Sequence, residues 1–170
     1  ETTREHTLYG SAQYLDTLYE LGAYPMYNFT KTRVDENKIK EVSPVNLRTK
    51  YFVKNTACFG CPVACGKLCK AFEGAIAELE YETIWALGAQ CGIFNLNTTI
   101  KANEICDEYG IDTMSSGYSV GFAMELYERG IISRRDTFGI DLKFGNEEAL
   151  IGILEQMALR KGFGTILAEG

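Results

Sequence analysis

Three cysteines stand at Cys58, Cys61 and Cys65 in the run Asn55-Thr56-Ala57-Cys58-Phe59-Gly60-Cys61-Pro62-Val63-Ala64-Cys65-Gly66, half of the chain's six cysteines within eight residues. Glycine and proline at these intervals interrupt a regular helix, so the three thiols cannot simply form one stripe against a core. A loop, by contrast, can turn three thiolates toward one metal centre. Structural zinc usually takes two ligand pairs well separated in sequence. Closely spaced cysteines followed by a distant fourth ligand are the iron–sulfur habit. The spacing favours an iron–sulfur cluster and leaves zinc open.

The surroundings narrow the choice. The opening Glu1-Thr2-Thr3-Arg4-Glu5-His6 is polar, and no apolar run approaches membrane length, so neither a signal peptide nor a membrane partner is expected. A reducing cytoplasm is the expected setting, in which clustered thiols bind metals rather than each other. The net charge of −6, without a stripe of Lys and Arg, argues against nucleic acid, whose phosphates call for a basic face. His6 is the only histidine and is expected to be incidental.

Helical periodicity predicts a mostly α fold: one irregular helical domain over 1–170 with a cysteine-rich metal-binding loop. Helices are expected over 7–22, 81–92, 98–109, 116–129 and 147–160, with Leu15, Ile84, Ala102, Val120 and Ile153 among their inward positions. Asn97, the pair Ser115-Ser116, and Asn146 are the expected starts of the last three. Lys50–Val53 and Ile140–Phe144 look like strands but are too few for a main sheet. Residues 25–50 are expected to be a long irregular connection. Cys91, Cys106 and Trp85 are expected to pack in the interior.

Four motifs in order carry a resemblance over nearly the whole chain: Leu21-Gly22-Ala23-Tyr24-Pro25-Met26-Tyr27-Asn28-Phe29, the cysteine run, Glu80-Tyr81-Glu82-Thr83, and Asp107-Glu108-Tyr109-Gly110-Ile111-Asp112-Thr113. Together they resemble the tungsten-containing aldehyde:ferredoxin oxidoreductase family. Members of that family are several times longer, so the resemblance implies a fragment, truncated at both ends, that corresponds to the first helical domain. The missing domains of the same chain, ferredoxin and a small aldehyde are then the implied partners, and a homo-oligomer is left open.

The resemblance also implies roles. Cys58, Cys61 and Cys65 would bind a 4Fe-4S cluster whose fourth cysteine lies in a following domain. Cys69 is a departure, a local thiol that in a stand-alone zinc- or iron–sulfur-binding module would complete the set. Asp107, Gly110, Ile111 and Asp112 would contact a tungstopterin, a bis-pterin carrying tungsten or molybdenum. Gly110-Ile111 has a purely structural account as a helix C-cap. Glu82 would be the proton carrier beside the metal, against the plain reading that Glu78, Glu80 and Glu82 form an acidic helix start. Where some relatives carry an intersubunit iron motif, this chain has Lys101-Ala102-Asn103-Glu104, and no such iron is expected.

Overall fold

The computed structural model describes residues 2–169; Glu1 and Gly170, the ends of the polar opening and of the closing run, lie outside them. The fold is mostly α, with nine α-helices among the described residues and one small sheet. Helices α1 (Thr2–Tyr9) and α2 (Tyr14–Glu20) are joined by a 3-10 turn at Gly10–Gln13. The single helix expected over 7–22 is therefore broken. The break falls at Gly10, whose φ is +65° and where a Cβ would collide with the carbonyl oxygen of Cys65.

The connection over 25–50 is more ordered than its composition suggests. It contains α3 (Glu36–Val42) and a short α4 (Pro44–Asn46), followed by a π-helical turn at Leu47–Tyr51. Asp35 and Ser43 cap the two helices by accepting from the amides of Asn37 and Asn46, and Pro44 occupies the first helical position.

A three-stranded antiparallel sheet follows: β1 (Phe52–Thr56), β2 (Gly66–Lys70) and β3 (Ile76–Leu79), with β2 in the middle. Lys67 lies opposite Asn55 on one side and Leu79 on the other. The sequence pattern pointed only at the start of β1. It missed β2 because a buried lysine occupies an inward position there, and β3 because it is short.

Beyond the sheet come α5 (Tyr81–Ala86), α6 (Leu96–Tyr109), α7 (Thr113–Glu128), α8 (Glu147–Ala158) and α9 (Gly164–Leu167). The helix expected over 81–92 ends at Ala86; Gly88, at φ −113° and ψ −99°, leaves the helical conformation, and a 3-10 turn at Ala89–Cys91 follows. The cap of α6 is Asn95, not Asn97, and its Oδ1 accepts from Asn97 N at 3.0 Å. Asn97 instead accepts from Phe72 N at 2.9 Å and fixes the β2–β3 turn. Asp112, not the serine pair, caps α7, whereas Asn146 caps α8 as expected. Ile140–Phe144 forms no strand: Thr137 Oγ1 and Asn146 Nδ2 occupy the carbonyls of Ile140 and Asp141.

Two apolar cores result. One gathers Leu15, Tyr24, Met26, Leu47, Leu79, Ile84, Trp85 and Ile100 between α2, α3, the sheet, α5 and the start of α6. The other gathers Leu87, Cys91, Cys106, Val120, Met124, Leu150 and Leu154 around α6–α8. Full burial of each large side chain contributes about 1.5–3 kcal/mol. Trp85 is buried as expected, with Nε1 donating to Pro25 O at 2.6 Å. No helix of the described residues is long and apolar enough to cross a membrane.

Candidate cofactor site

The cysteine run is the connection between β1 and β2. Its thiols differ from the other three in access: Cys58 is exposed and Cys61 and Cys65 are half-buried, whereas Cys69, Cys91 and Cys106 are buried. Local sequence explains the loop's shape. Cys61 N donates to Cys58 O at 3.0 Å in a tight turn, Gly60 takes a φ of +71°, and Ala64 at +51° reverses the chain into β2.

The return arm of this loop is anchored from behind. Lys67 is fully buried, and its Nζ donates to the carbonyls of Cys65 at 2.8 Å, Ala64 at 3.2 Å and Gly66 at 3.2 Å, with His6 O at 3.5 Å. Thr7 Oγ1 donates to Val63 O at 2.8 Å. Burial pulls the Lys67 ammonium below the ordinary lysine range, while Cys65, Cys69 and Glu78 draw it back up. His6 is tied in as well, its ring nitrogens bonding Gln13 and Tyr14 at 2.7 and 3.1 Å.

From Lys67 the site extends into an acidic neighbourhood. Glu78 on β3 lies over Gly66, where a Cβ would collide with its carboxylate and with the Thr56 hydroxyl. The Glu78 carbonyl accepts from the buried Asn103 at 2.7 Å. Partial burial, and secondarily Glu78, raise the Asp107 carboxyl above its usual range. Burial, then Glu82 and Glu78, do the same to Glu80. Of the three glutamates expected at a helix start, Glu80 and Glu82 flank the first turn of α5 and Glu78 belongs to the strand.

Glu82 is exposed, but the next residue, Thr83, is buried. Its hydroxyl lies 3.2 Å from that of Thr113, so the starts of α5 and α7 meet. The segment 107–112 leads into this junction. Gly110, at φ +66°, ends α6, and Ile111 N donates to Cys106 O at 2.9 Å; Ile111 packs on the second core. This is a glycine-terminated C-cap with its hydrophobic contact. Asp112 accepts from Ser115 N at 2.6 Å, and its bonds to Ser115 hold its carboxyl below the usual range. Gly110, Ile111 and Asp112 each therefore have a structural task. Asp107 differs: it is a carboxylate in the last turn of a helix, the unfavourable end of the dipole, and no hydrogen bond or ion pair among the described residues uses its side chain.

Glu78 thus lies against Gly66 at the base of the cysteine loop, and its charge is felt by Glu80 and Asp107. Sequence reasoning missed Lys67 and Asn103 as parts of this site. The one available signal was a lysine at an inward strand position.

Among the described residues, no three Cys, His, Asp or Glu side chains form a group that could hold a metal ion. Cys69 is fully buried with its Sγ 3.3 Å from Lys67 O, and burial pushes its thiol up to about 12. It belongs to the core, so the four-cysteine set of a stand-alone module is not assembled. Burial likewise pushes Cys91 to about 12 and Cys106 to about 11, which makes both poor ligands. Cys58, Cys61 and Cys65 are the more accessible thiols, on one short loop with Lys67 behind its return arm, but among the described residues they are not gathered into a metal-holding group either.

Comparison with known proteins identifies the family. The family model described as "Aldehyde ferredoxin oxidoreductase, domains 2 & 3" matches residues 1–170. A tungsten-containing aldehyde ferredoxin oxidoreductase of Pyrococcus abyssi is 43% identical over 168 residues, covering 95% of this chain and 27% of its own length. That of Thermococcus kodakarensis is 41% identical over 165 residues, with the same coverage. An aliphatic sulfonate oxidoreductase, WOR-like subunit, of Pyrococcus furiosus is 35% identical over 137 residues, covering 77% of this chain and 22% of its own length. Among solved structures, the active-site complex BamBC of benzoyl coenzyme A reductase, in complex with 1,5-dienoyl-CoA, shares the fold with a TM-score of 0.74 at 23% identity, over 93% of this chain and 24% of that one. The chain spans about a quarter of the length of its aldehyde ferredoxin oxidoreductase relatives. With its whole length matched by the family model and 95% of it by relatives above 40% identity, the chain belongs to the aldehyde ferredoxin oxidoreductase family.

Proposed function

We propose that this chain is the part of a tungstopterin oxidoreductase that supplies three cysteine ligands to a 4Fe-4S cluster and one wall of the pterin pocket. The full-length enzyme would oxidise a small aldehyde to the carboxylic acid and deliver electrons to ferredoxin. The observation that carries this reading is the run of three accessible cysteines on one short loop, with the Glu78 carboxylate against Gly66 at its base, in a chain whose relatives are named tungsten enzymes.

When bound, the pterin-held metal supplies two-electron chemistry and the cluster one-electron transfer. The protein's own contribution is positional. Cys58, Cys61 and Cys65 would hold the cluster, with the fourth ligand from the rest of the protein. Asp107 would accept hydrogen bonds from pterin N–H groups, for which its carboxylate has free acceptor capacity. Gly110 leaves open space above the backbone, since nothing lies within 4 Å of a Cβ built there. Glu82 would carry a proton at its carboxylate once the other domains close over it and exclude water. The exposed rings of Phe29 and Tyr118, stacked 5.9 Å apart, would be covered by those domains.

The test is metal and pterin analysis of the full-length protein, with viologen reduction by crotonaldehyde. Tungsten or molybdenum, pterin and iron are expected together, with aldehyde-dependent activity that Glu82→Gln removes without loss of cofactor. The 170-residue chain alone is expected to be inactive. A full-length protein without pterin-bound metal would sink the reading; a loaded protein inert to aldehydes would overturn the substrate class.

A further inference from the structure

Lys67 is an ammonium placed where an apolar side chain would serve stability at least as well. It is fully buried on the middle strand of the sheet, and every hydrogen bond it makes goes to a backbone carbonyl. Three of these carbonyls, of Ala64, Cys65 and Gly66, lie within 3.2 Å and match the three N–H donors of a charged lysine; a neutral amine has two. All three belong to the return arm of the cysteine loop. The fourth, His6 O, belongs to α1, which also grips the arm through Thr7 and Val63. With β1 and β3 paired on either side of β2, the side chain cannot swing outward without a change of register, which would turn the rest of the strand over.

We propose that Lys67 is a positioning residue for the cysteine loop. It fixes the backbone of Cys65 before any ligand arrives, leaves Cys58 and Cys61 to adjust, and sets one positive charge behind the group that the loop would hold. The inference rests on the cluster reading above. A cation close to a cluster favours its more negative, reduced form, so the charge would raise the reduction potential as well as secure the arm.

The experiment compares Lys67→Met and Lys67→Arg with wild type in the full-length protein, with folding checked by circular dichroism. K67M is expected to release iron to a chelator about 10–100-fold faster, the range for loss of a supporting contact behind a metal ligand, and its cluster potential should fall. K67R, which keeps the charge, should restore both. A folded K67M with wild-type iron release and potential overturns the proposal, as does a potential that falls equally in K67R. Should K67M fail to fold, a crystal structure of iron-stripped wild type decides. Residues 64–66 are expected to stay on Lys67 while 58–61 differ from the iron-loaded form. An arm that leaves Lys67 when iron is removed overturns the idea. If wild type carries no iron at all, the cluster reading fails, and the iron-free structure still decides the role of Lys67.

Discussion

Gly10 packs directly onto the carbonyl of Cys65, in a left-handed conformation that turns the chain between α1 and α2. Gly10→Ala meets two costs: the left-handed backbone, about 1–2 kcal/mol, and a collision with main chain, about 1–3 kcal/mol. The matched control is Gly130→Ala, at φ +69° with nothing within 4 Å of the new Cβ, where only the first cost applies. Urea unfolding should show the larger loss at Gly10. Equal losses would mean that α1 yields to the methyl and does not press on the loop.

The six cysteines should separate into two classes. Cys106 is 1% exposed and its thiol is hydrogen-bonded to the buried Ser116, so Cys106→Ser buries a more polar group with one partner and should cost about 1–3 kcal/mol. Cys58 is exposed, and Cys58→Ser should change stability by no more than about 0.5 kcal/mol. In the full-length protein the visible spectrum should behave oppositely, with the broad cluster absorption lost on replacing Cys58, Cys61 or Cys65 and kept in Cys106→Ser. Bleaching in Cys106→Ser at unchanged folding would refute the assignment.

Asp112 and Asp107 should respond to pH in opposite senses. The folded-state pKa of Asp112 is depressed by its bonds to Ser115, so its contribution is present above the unfolded value near 4 and is lost as pH falls through the folded value. Asp112→Ala should cost about 0.5–2 kcal/mol at neutral pH, as for other helix caps, and progressively less below pH about 4. Asp107 is raised, first by burial and then by Glu78, so its charged form opposes folding above that value and the opposition fades on acidification. Asp107→Asn should therefore leave stability at neutral pH unchanged or slightly higher. Melting temperatures of both variants at pH 3 and pH 7 provide the check.

The same Asp107→Asn change tests cofactor contact. A charged hydrogen bond to a bound ligand is worth about 1.5–3 kcal/mol, enough to lower tungsten and pterin content after purification of the full-length protein. Glu128→Gln, at the end of α7 beside the similar glycine at Gly130, should not alter that content. Equal occupancy in the two variants would reduce segment 107–112 to a helix ending.

Much of the helical framework was legible because its periodicity is local: Ile84, Ala102, Val120 and Ile153 are all buried as expected. Features set by distant residues were not. The break at Gly10 depends on the close approach of the Cys65 carbonyl, fifty-five positions along the chain. The sheet was missed because Lys67 breaks the alternation that reveals a strand, and its burial makes sense only once the carbonyls of 64–66 surround it. In the candidate site, the cysteine spacing and the motifs around Glu82 and Asp107 could be read from the sequence, while the place of Glu78 over Gly66 needed coordinates.

The register of β2 limits how this loop can vary. Cys65 and Lys67 are separated by a single residue, Gly66, whose missing side chain makes room for Glu78 and Thr56. An insertion or deletion between Cys65 and Lys67 would move the ammonium to the other face and leave three carbonyls without their donor. Residues 58–62 lie outside the ladder and carry no such penalty. There the spacing of Cys58, Cys61 and Cys65 is the constraint on length, whereas the sheet itself fixes the Cys65-to-Lys67 interval.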